Sequence, residues 1–287
     1  MFVIIGMALV IGGVVGGYLM HHGSLMALMQ YNEFVIIGGV AIGSLLIGAP
    51  LRMIKPIFGK VALVLKGDPF TKTQYLNLLK TFYELFNMAK KDGFIALEAQ
   101  VETPTKSSVL TKNPFLVKHS RALLFLCDTI KLLLSGGVPP HDLEALLDED
   151  IETIHTEQSR TVTMVQKVGD ALPGIGIVAA VLGIIISMQA INGPKEEIGE
   201  KVAAALVGTF LGILACYGFV GPVASHVELL DQSEIRYLQC IKTALVAHFK
   251  GNSPLVVVEF ARRVIDSDVR PSFVEVEKSI RGGGKSG

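Results

Sequence analysis

Residues 2–20 read FVIIGMALVIGGVVGGYLM, a run without one charged side chain. A helix rises 1.5 Å per residue, so roughly 20 apolar residues cross the ~30 Å hydrocarbon core of a bilayer. The run is long enough to be a membrane span, and the chain has to be read around it. After the polar break HHGSLMALMQYN at 21–32, a second apolar run occupies 33–51 and ends at Arg52 and Lys55. Two further uncharged runs lie at 171–191 and 202–223. The composition agrees: half of the 287 residues are hydrophobic, only 18% are charged and mean hydropathy is +0.51, which places most of the chain in or against lipid.

Direction follows from the basic residues, because loops rich in Lys and Arg stay in the cytoplasm. Between Met1 and Leu51 there is no Lys or Arg, and the only acid is Glu33. Arg52, Lys55, Lys60 and Lys66 follow the second run closely, and Arg236, Lys242, Lys250, Arg262 and Arg263 lie beyond the fourth. Lys195 and Lys201 fall on the outer side, offset by Glu196, Glu197 and Glu200. The predicted fold class is therefore an all-α membrane protein. It has four transmembrane helices, a large helical cytoplasmic domain between helices 2 and 3, and a cytoplasmic C-terminal tail. The predicted boundaries are span 1 at 1–20, periplasmic loop 21–32, span 2 at 33–51, cytoplasmic domain 52–170, span 3 at 171–191, periplasmic loop 192–201, span 4 at 202–223 and tail 224–287. The apolar start has no basic n-region and no cleavage site of the AxA type, so it reads as a retained span.

Within the domain, Tyr75, Leu78, Leu79, Phe82, Leu85, Phe86 and Ala89 recur every three or four positions, one face of a helix that Gly93 would end. ALLFLCDTIKLLL (122–134) is half a span long and contains Asp128 and Lys131, so it reads as a buried core helix. A third helix starts near His141, and no breaker falls between Asp142 and Val168, which predicts a helix running directly into span 3.

Several function classes drop out. A net charge of zero gives no grip on a polyanion, so no nucleic acid is expected. Cys127, Cys216 and Cys240 have no metal-ligand or disulfide spacing, and the seven histidines are not paired at i, i+4. The acidic run Asp148, Glu149, Asp150, Glu152 points in several directions around a helix and reads as a solvated face. No phosphate loop, HExxH or GxSxG motif is present, so the chain is not expected to be an enzyme or to hold a cofactor.

The spans carry few polar groups: Ser44, Ser187, Gln189, Thr209 and Tyr217, with Asp170 at the mouth of span 3 and no carboxylate at mid-membrane depth. Ion movement usually needs a titratable or coordinating group there, so either nothing is conducted or another chain supplies the carrier. Gly12 with Gly16, Gly13 with Gly17, Gly39 with Gly43 and Gly208 with Gly212 have the spacing of close helix contacts, within a subunit or between subunits. Pro173 and Pro222 read either as helix punctuation at the span ends or as hinges at the cytoplasmic mouth of a pathway.

Six segments resemble the MotA family of flagellar stator subunits, within the wider MotA, TolQ and ExbB group of ion-driven motors. They are GGYLMHHGSLMALMQ (16–30), FVIIGGVAIGSLLIG (34–48), LLDEDIET (146–153), VGDALPGIGIVAAVLG (168–183), LVGTFLGILACYGFVGPVA (206–224) and VEFARRVIDSDVRPSF (258–273). The resemblance implies a stator subunit that couples proton influx to torque. Its partners would be a ring of like subunits, commonly five, around two single-span MotB-type subunits anchored to peptidoglycan and carrying the ion-binding aspartate. Membrane lipid surrounds them, and the rotor protein FliG receives the force. By the same resemblance Pro173, Pro222, Thr209 and Ala180 belong to the ion pathway, with Asp170 added to it from its place at the mouth of span 3, and Lys90, Lys91 and Glu98 face the rotor. Sodium-driven relatives resemble each other in having threonine at the position of Ala180; a methyl group offers no oxygen to a hard cation, so the coupling ion is expected to be the proton. The rival readings are an ExbB- or TolQ-type energiser of an outer-membrane system and a membrane scaffold that conducts nothing.

Overall fold

The computed structural model describes residues 2–189 and 191–282. Ala190 of the third run and most of the GGGKSG end lie outside the described residues. Every regular element in the described residues is helical. In chain order the helices are α1 (Phe2–Met20), α2 (Leu25–Leu28), α3 (Tyr31–Gly48), α4 (Leu51–Val64), α5 (Lys72–Asp92), α6 (Glu98–Glu102), α7 (Pro114–Lys118), α8 (Ser120–Ser135), α9 (Pro140–Gln189), α10 (Lys195–Leu214), α11 (Gly221–Phe249), α12 (Pro254–Arg263) and α13 (Phe273–Gly282). Four stretches are long and apolar enough to cross a membrane: Phe2–Met20, Leu25–Gly48, Pro140–Gln189 and Ile198–Phe249.

The chain forms two compact units, Met1–Gly67 with Glu157–Leu230, and Asp68–Thr156 with Asp231–Gly287. The first holds the apolar helices. Its small cores are Ile37, Leu172, Ile175, Ala179 and Cys216 in one place and Val64, Val162, Val227 and Leu230 in another. Most of the remaining apolar side chains, such as Ile47 and Leu9, are exposed, as expected of surfaces facing lipid or other chains. Helix α4 is an addition to the elements expected from the sequence. Its Ile57 and Val64 are buried while Leu51 and Phe58 are exposed, and Pro56 interrupts the pattern that would reveal it.

The second unit has one continuous core. The α5 face read from the sequence is its centre, with Leu78, Leu79, Phe82, Leu85 and Phe86 fully buried against α12 and α13. Gly93 ends α5 at φ 84°, a left-handed conformation that a glycine takes without steric cost. Helix α8 buries Phe125, Leu126, Cys127, Ile130 and Leu133, and burial pushes the Cys127 thiol up to about 11. His119 caps α8 by accepting from the Ala122 N–H, and lies edge-on to Phe70 at 5.3 Å. Leu143, Leu147, Ile151 and Ile154 of α9 complete the core. Asp148, of the acidic run, pairs at 2.6 Å with Lys242.

One ionic cluster braces the C-terminal helices. Glu259 accepts from Arg262 Nε at 2.7 Å and Nη2 at 2.8 Å, and from Arg263 Nε at 2.8 Å, while Arg262 Nη1 donates to the Pro271 carbonyl at 3.1 Å. The Arg262 hydrogen bonds, opposed by burial and helped by Arg263, hold the Glu259 carboxyl down at about 2. A folded-state value below the unfolded one means stability that is fully present above the ordinary carboxylate value near 4.5 and is lost as pH falls toward 2. Glu259→Gln is expected to lower stability by about 1–2 kcal/mol at neutral pH. In denaturant titrations across pH, the gap between wild type and variant should close between about pH 4.5 and 2.

Candidate functional site

Helices α9 and α10 touch along a seam of small residues. A Cβ on Gly176 would lie 2.7 Å from the Gly208 carbonyl oxygen and 3.2 Å from the Cα atoms of Thr209 and Gly212. One on Gly212 would lie 2.5 Å from the Leu172 oxygen, and one on Gly183 would lie 2.8 Å from the Ala205 Cβ. The two backbones are therefore in direct contact, and the Gly208–Gly212 pair packs within the subunit. Gly12, Gly13, Gly16, Gly17, Gly39 and Gly43 have open space where a side chain would stand. Ala180 follows Ala179 on the seam, one turn beyond Gly176, and is itself buried. Thr209 is half-buried beside Gly208.

Both prolines lie inside long helical stretches, which corrects the punctuation reading. Helix α9 begins at Pro140, so Pro173 is deep in its interior and leaves the Gly169 carbonyl without its usual donor. On the other side, residues Ala215–Val220 are π-helical, and the Gly221 N–H bonds the Cys216 carbonyl five residues back. Pro222, next in line, has no N–H, so the ladder can be rewound here at little loss. Single π turns inside α-helices concentrate at functional positions. Pro222 borders a groove of about 230 Å³ shared with Val3, Met7, Val10, Gly218 and His226, so α1 forms one wall. Asp170 and Pro222 are exposed and Pro173 is half-exposed in the single chain.

One residue of the site escapes sequence reasoning. Glu33 opens α3, at the edge of its span, yet only 5% of it is exposed. Its Oε2 contacts the place where a Cβ on Gly208 would stand, and the Ala179 Cβ is 3.2 Å from the same point. The carboxylate thus reaches the seam at Gly208 and Ala179, the residues that immediately precede Thr209 and Ala180 in the chain. The available signal is its solitude, as the one acid among the first 51 residues.

In the second unit, Lys90 and Lys91 close α5 and Glu98 opens α6, all three exposed. Between them the 3-10 turn Phe94–Leu97 is pinned by buried Leu97 and by Phe94 against Phe249 and His248, while Ile95 is 76% exposed. Among the described residues none of the three charges makes an ion pair. The arrangement presents free charges and one apolar side chain on a fixed turn.

Comparison with known proteins decides the family. The chain is 37% identical over 281 residues to Motility protein A of Salmonella typhimurium, covering 98% of this chain and 95% of that protein. It is 38% identical to Motility protein A of Escherichia coli with the same coverage. The chain belongs to the motility protein A family. Residues 4–93 match the family described as Motility protein A N-terminal, and residues 114–239 the MotA/TolQ/ExbB proton channel family. Chemotaxis protein LafT of Vibrio parahaemolyticus is 36% identical over 96% of each chain. The solved structure of C. jejuni MotAB has the same fold, with TM-score 0.77 at 18% identity, covering 94% of this chain and 98% of that one. The MotAB stator complex of Bacillus subtilis matches with TM-score 0.71 at 21% identity, over 89% and 92%. As a member of the motility protein A family with four candidate spans, the chain is a multi-pass protein of the inner membrane. The seam, the prolines and Glu33 fall in its membrane-helix unit, and Lys90 and Lys91 fall within the 4–93 match.

Proposed function

We propose that this chain is the A subunit of a flagellar stator, which with a single-span, peptidoglycan-anchored B subunit forms a proton channel that turns the rotor. Near-full-length identity of 36–38% to motility relatives carries this reading. The 4–93 match disfavours an ExbB- or TolQ-type energiser, because it covers the first two spans. The proposed orientation puts both termini and the second unit in the cytoplasm, on the side of Arg52, Lys55, Lys60 and Lys66. Five A subunits surround two B subunits, leaving the open faces of α1 and α3 for neighbours, partner or lipid.

Protons pass from the periplasm to the partner's carboxylate and leave past Thr209, Ala180, Pro173, Pro222 and Asp170. Thr209 offers a hydroxyl for a water-bridged step, and Ala180 offers no oxygen that would hold a metal cation. The prolines and the π turn make the inner halves of α9 and α10–α11 the compliant part of the unit. Because α9 is one helix from Pro140 to Gln189, a shift near Pro173 is passed on along its uninterrupted residues 140–169. The exposed Lys90, Lys91 and Glu98 then engage the charged surface of FliG, through weak contacts suited to repeated making and breaking.

Expressed with its B subunit in a stator-deficient, flagellated strain, the chain should restore swimming that a protonophore stops and sodium removal does not. Swimming that depends on sodium and persists without a proton gradient would overturn the assignment of the ion. Lys90→Glu and Glu98→Lys should each cut torque strongly while the variant still copurifies with the B subunit, since like charges placed face to face repel. Unchanged motility in both would remove these residues from the rotor contact.

A further inference from the structure

The membrane-helix unit tolerates one side chain that packing alone gives no reason to keep. Glu33 is nine-tenths buried, and its Oε2 has no hydrogen-bond partner among the described residues. Burying a carboxyl group without partners costs several kcal/mol, and an ionisable group kept inside a membrane unit marks function by default. Among the described residues its surroundings supply no counter-charge. Helix α2 has no titratable side chain, α9 has none between Asp170 and Gln189, and α10 has none between Lys201 and Leu214. Beyond these, Cys216 follows α10, Tyr31 precedes Glu33 on α3, and His21 and His22 lie in the preceding loop.

A second observation shows that the place is built for this group. Gly208 is the residue whose missing side chain makes room for the Glu33 carboxylate, and any larger residue there would occupy its position. Gly208 immediately precedes Thr209, and Ala179, on the other wall, immediately precedes Ala180. The carboxylate is therefore held at the level of the two side chains to which the pathway is assigned. The loop before α3 folds onto the same helix: α2 packs on α10, and Gln30 Nε2 donates to the Ala27 carbonyl at 3.2 Å. On the orientation proposed above, this is the outer end of the pathway.

We propose that Glu33 is a proton-binding residue of the channel, contributed by this chain in addition to the partner's carboxylate. Its carboxylate takes a proton from water at the outer loop, becoming the neutral acid. It then gives that proton to the water or carboxylate at the Thr209–Ala180 level and returns to its starting form. No bond other than O–H is made or broken. Gly208 is the positioning residue that keeps the carboxyl group on the path. The proposal rests on the stator reading, and the experiment separates the two.

The test uses the full chain with its B subunit in a stator-deficient strain, reading swimming speed at low load against external pH from 5 to 8, with membrane level and copurification as controls. Glu33→Gln keeps shape and hydrogen-bonding capacity but cannot carry a proton; it should assemble normally, run at least about threefold slower and lose most of its pH dependence. Glu33→Asp should retain the pH dependence. Gly208→Ala, which displaces the carboxyl group without altering it, should slow the motor similarly. Its effect should largely vanish when added to Glu33→Gln, as expected for two changes acting through one group. Wild-type speed in Glu33→Gln, or reduced speed with an unchanged pH profile, would overturn the proposal and leave Glu33 a packing residue. Should Glu33→Gln fail to assemble, a Glu33→Asp motor with a flat pH profile would overturn it. A wild-type complex that neither restores swimming nor moves protons would instead sink the stator reading beneath it.

Discussion

Gly212→Val is expected to abolish swimming and to lower the stability of the membrane-helix unit by about 3 kcal/mol or more. The Leu172 carbonyl and the Gly176 Cα lie 2.5 and 2.9 Å from the position a Cβ would take. Overpacking normally costs about 1–3 kcal/mol because side chains can swing aside. Here the obstruction is backbone on a neighbouring helix, so α9 and α10 have to separate. Separation would also move Ala179 and Gly208 apart, removing the place that Glu33 occupies and with it the proposed pathway. The measurements are thermal inactivation of the purified complex in detergent and swimming in soft agar. Gly39→Ala is the control: nothing stands within 4 Å of that position in the single chain, so the subunit itself should be unharmed. Wild-type motility in Gly212→Val would show that the seam is not the rigid contact described.

Phe82→Ala is expected to cost the second unit about 3–5 kcal/mol, the usual range for emptying a fully buried aromatic site. Phe82 is completely inaccessible and stacks with Phe86 at 6.0 Å in the centre of the α5 face. Whole domains have only about 5–15 kcal/mol in reserve, so the variant should be scarce in membranes and rapidly cleaved by added protease. Ile95→Ala, on the exposed turn, should leave folding within about 0.5 kcal/mol of wild type. If Phe82→Ala resisted protease like wild type, the core would be more plastic than its packing implies.

These positions differ in how far the amino-acid sequence alone reveals them. Span positions, the α5 face and the continuity of α9 depend on local features: run length, a three-to-four periodicity and the absence of breakers between Asp142 and Val168. Each is contained in one stretch of chain. Helix α4 is illegible because Pro56 sits inside it and its buried face is narrow. The π turn is hidden because it depends on the Gly221 N–H reaching the Cys216 carbonyl together with the missing N–H of Pro222. Glu33 is inconspicuous for a different reason. Its neighbour Gly208 is 175 positions away in sequence, and no periodicity links a residue at a helix start to a glycine on another helix. Pro173 reads as punctuation only while a membrane span is equated with a helix, whereas α9 starts well before the membrane run does.

The second unit draws its core from two stretches that bracket the last two spans, Asp68–Thr156 and Asp231–Gly287. The ribosome must therefore make everything between residues 156 and 231 before Tyr237, Ile241 and Leu245 can cover the faces of α5 and α8. At 5–20 residues per second that interval lasts roughly 4–15 s. Throughout it the first stretch carries uncovered Leu, Phe and Ile, a binding site for chaperones and a hazard for aggregation. A chain whose third and fourth spans stall during insertion is expected to leave this unit without its second stretch and its core open.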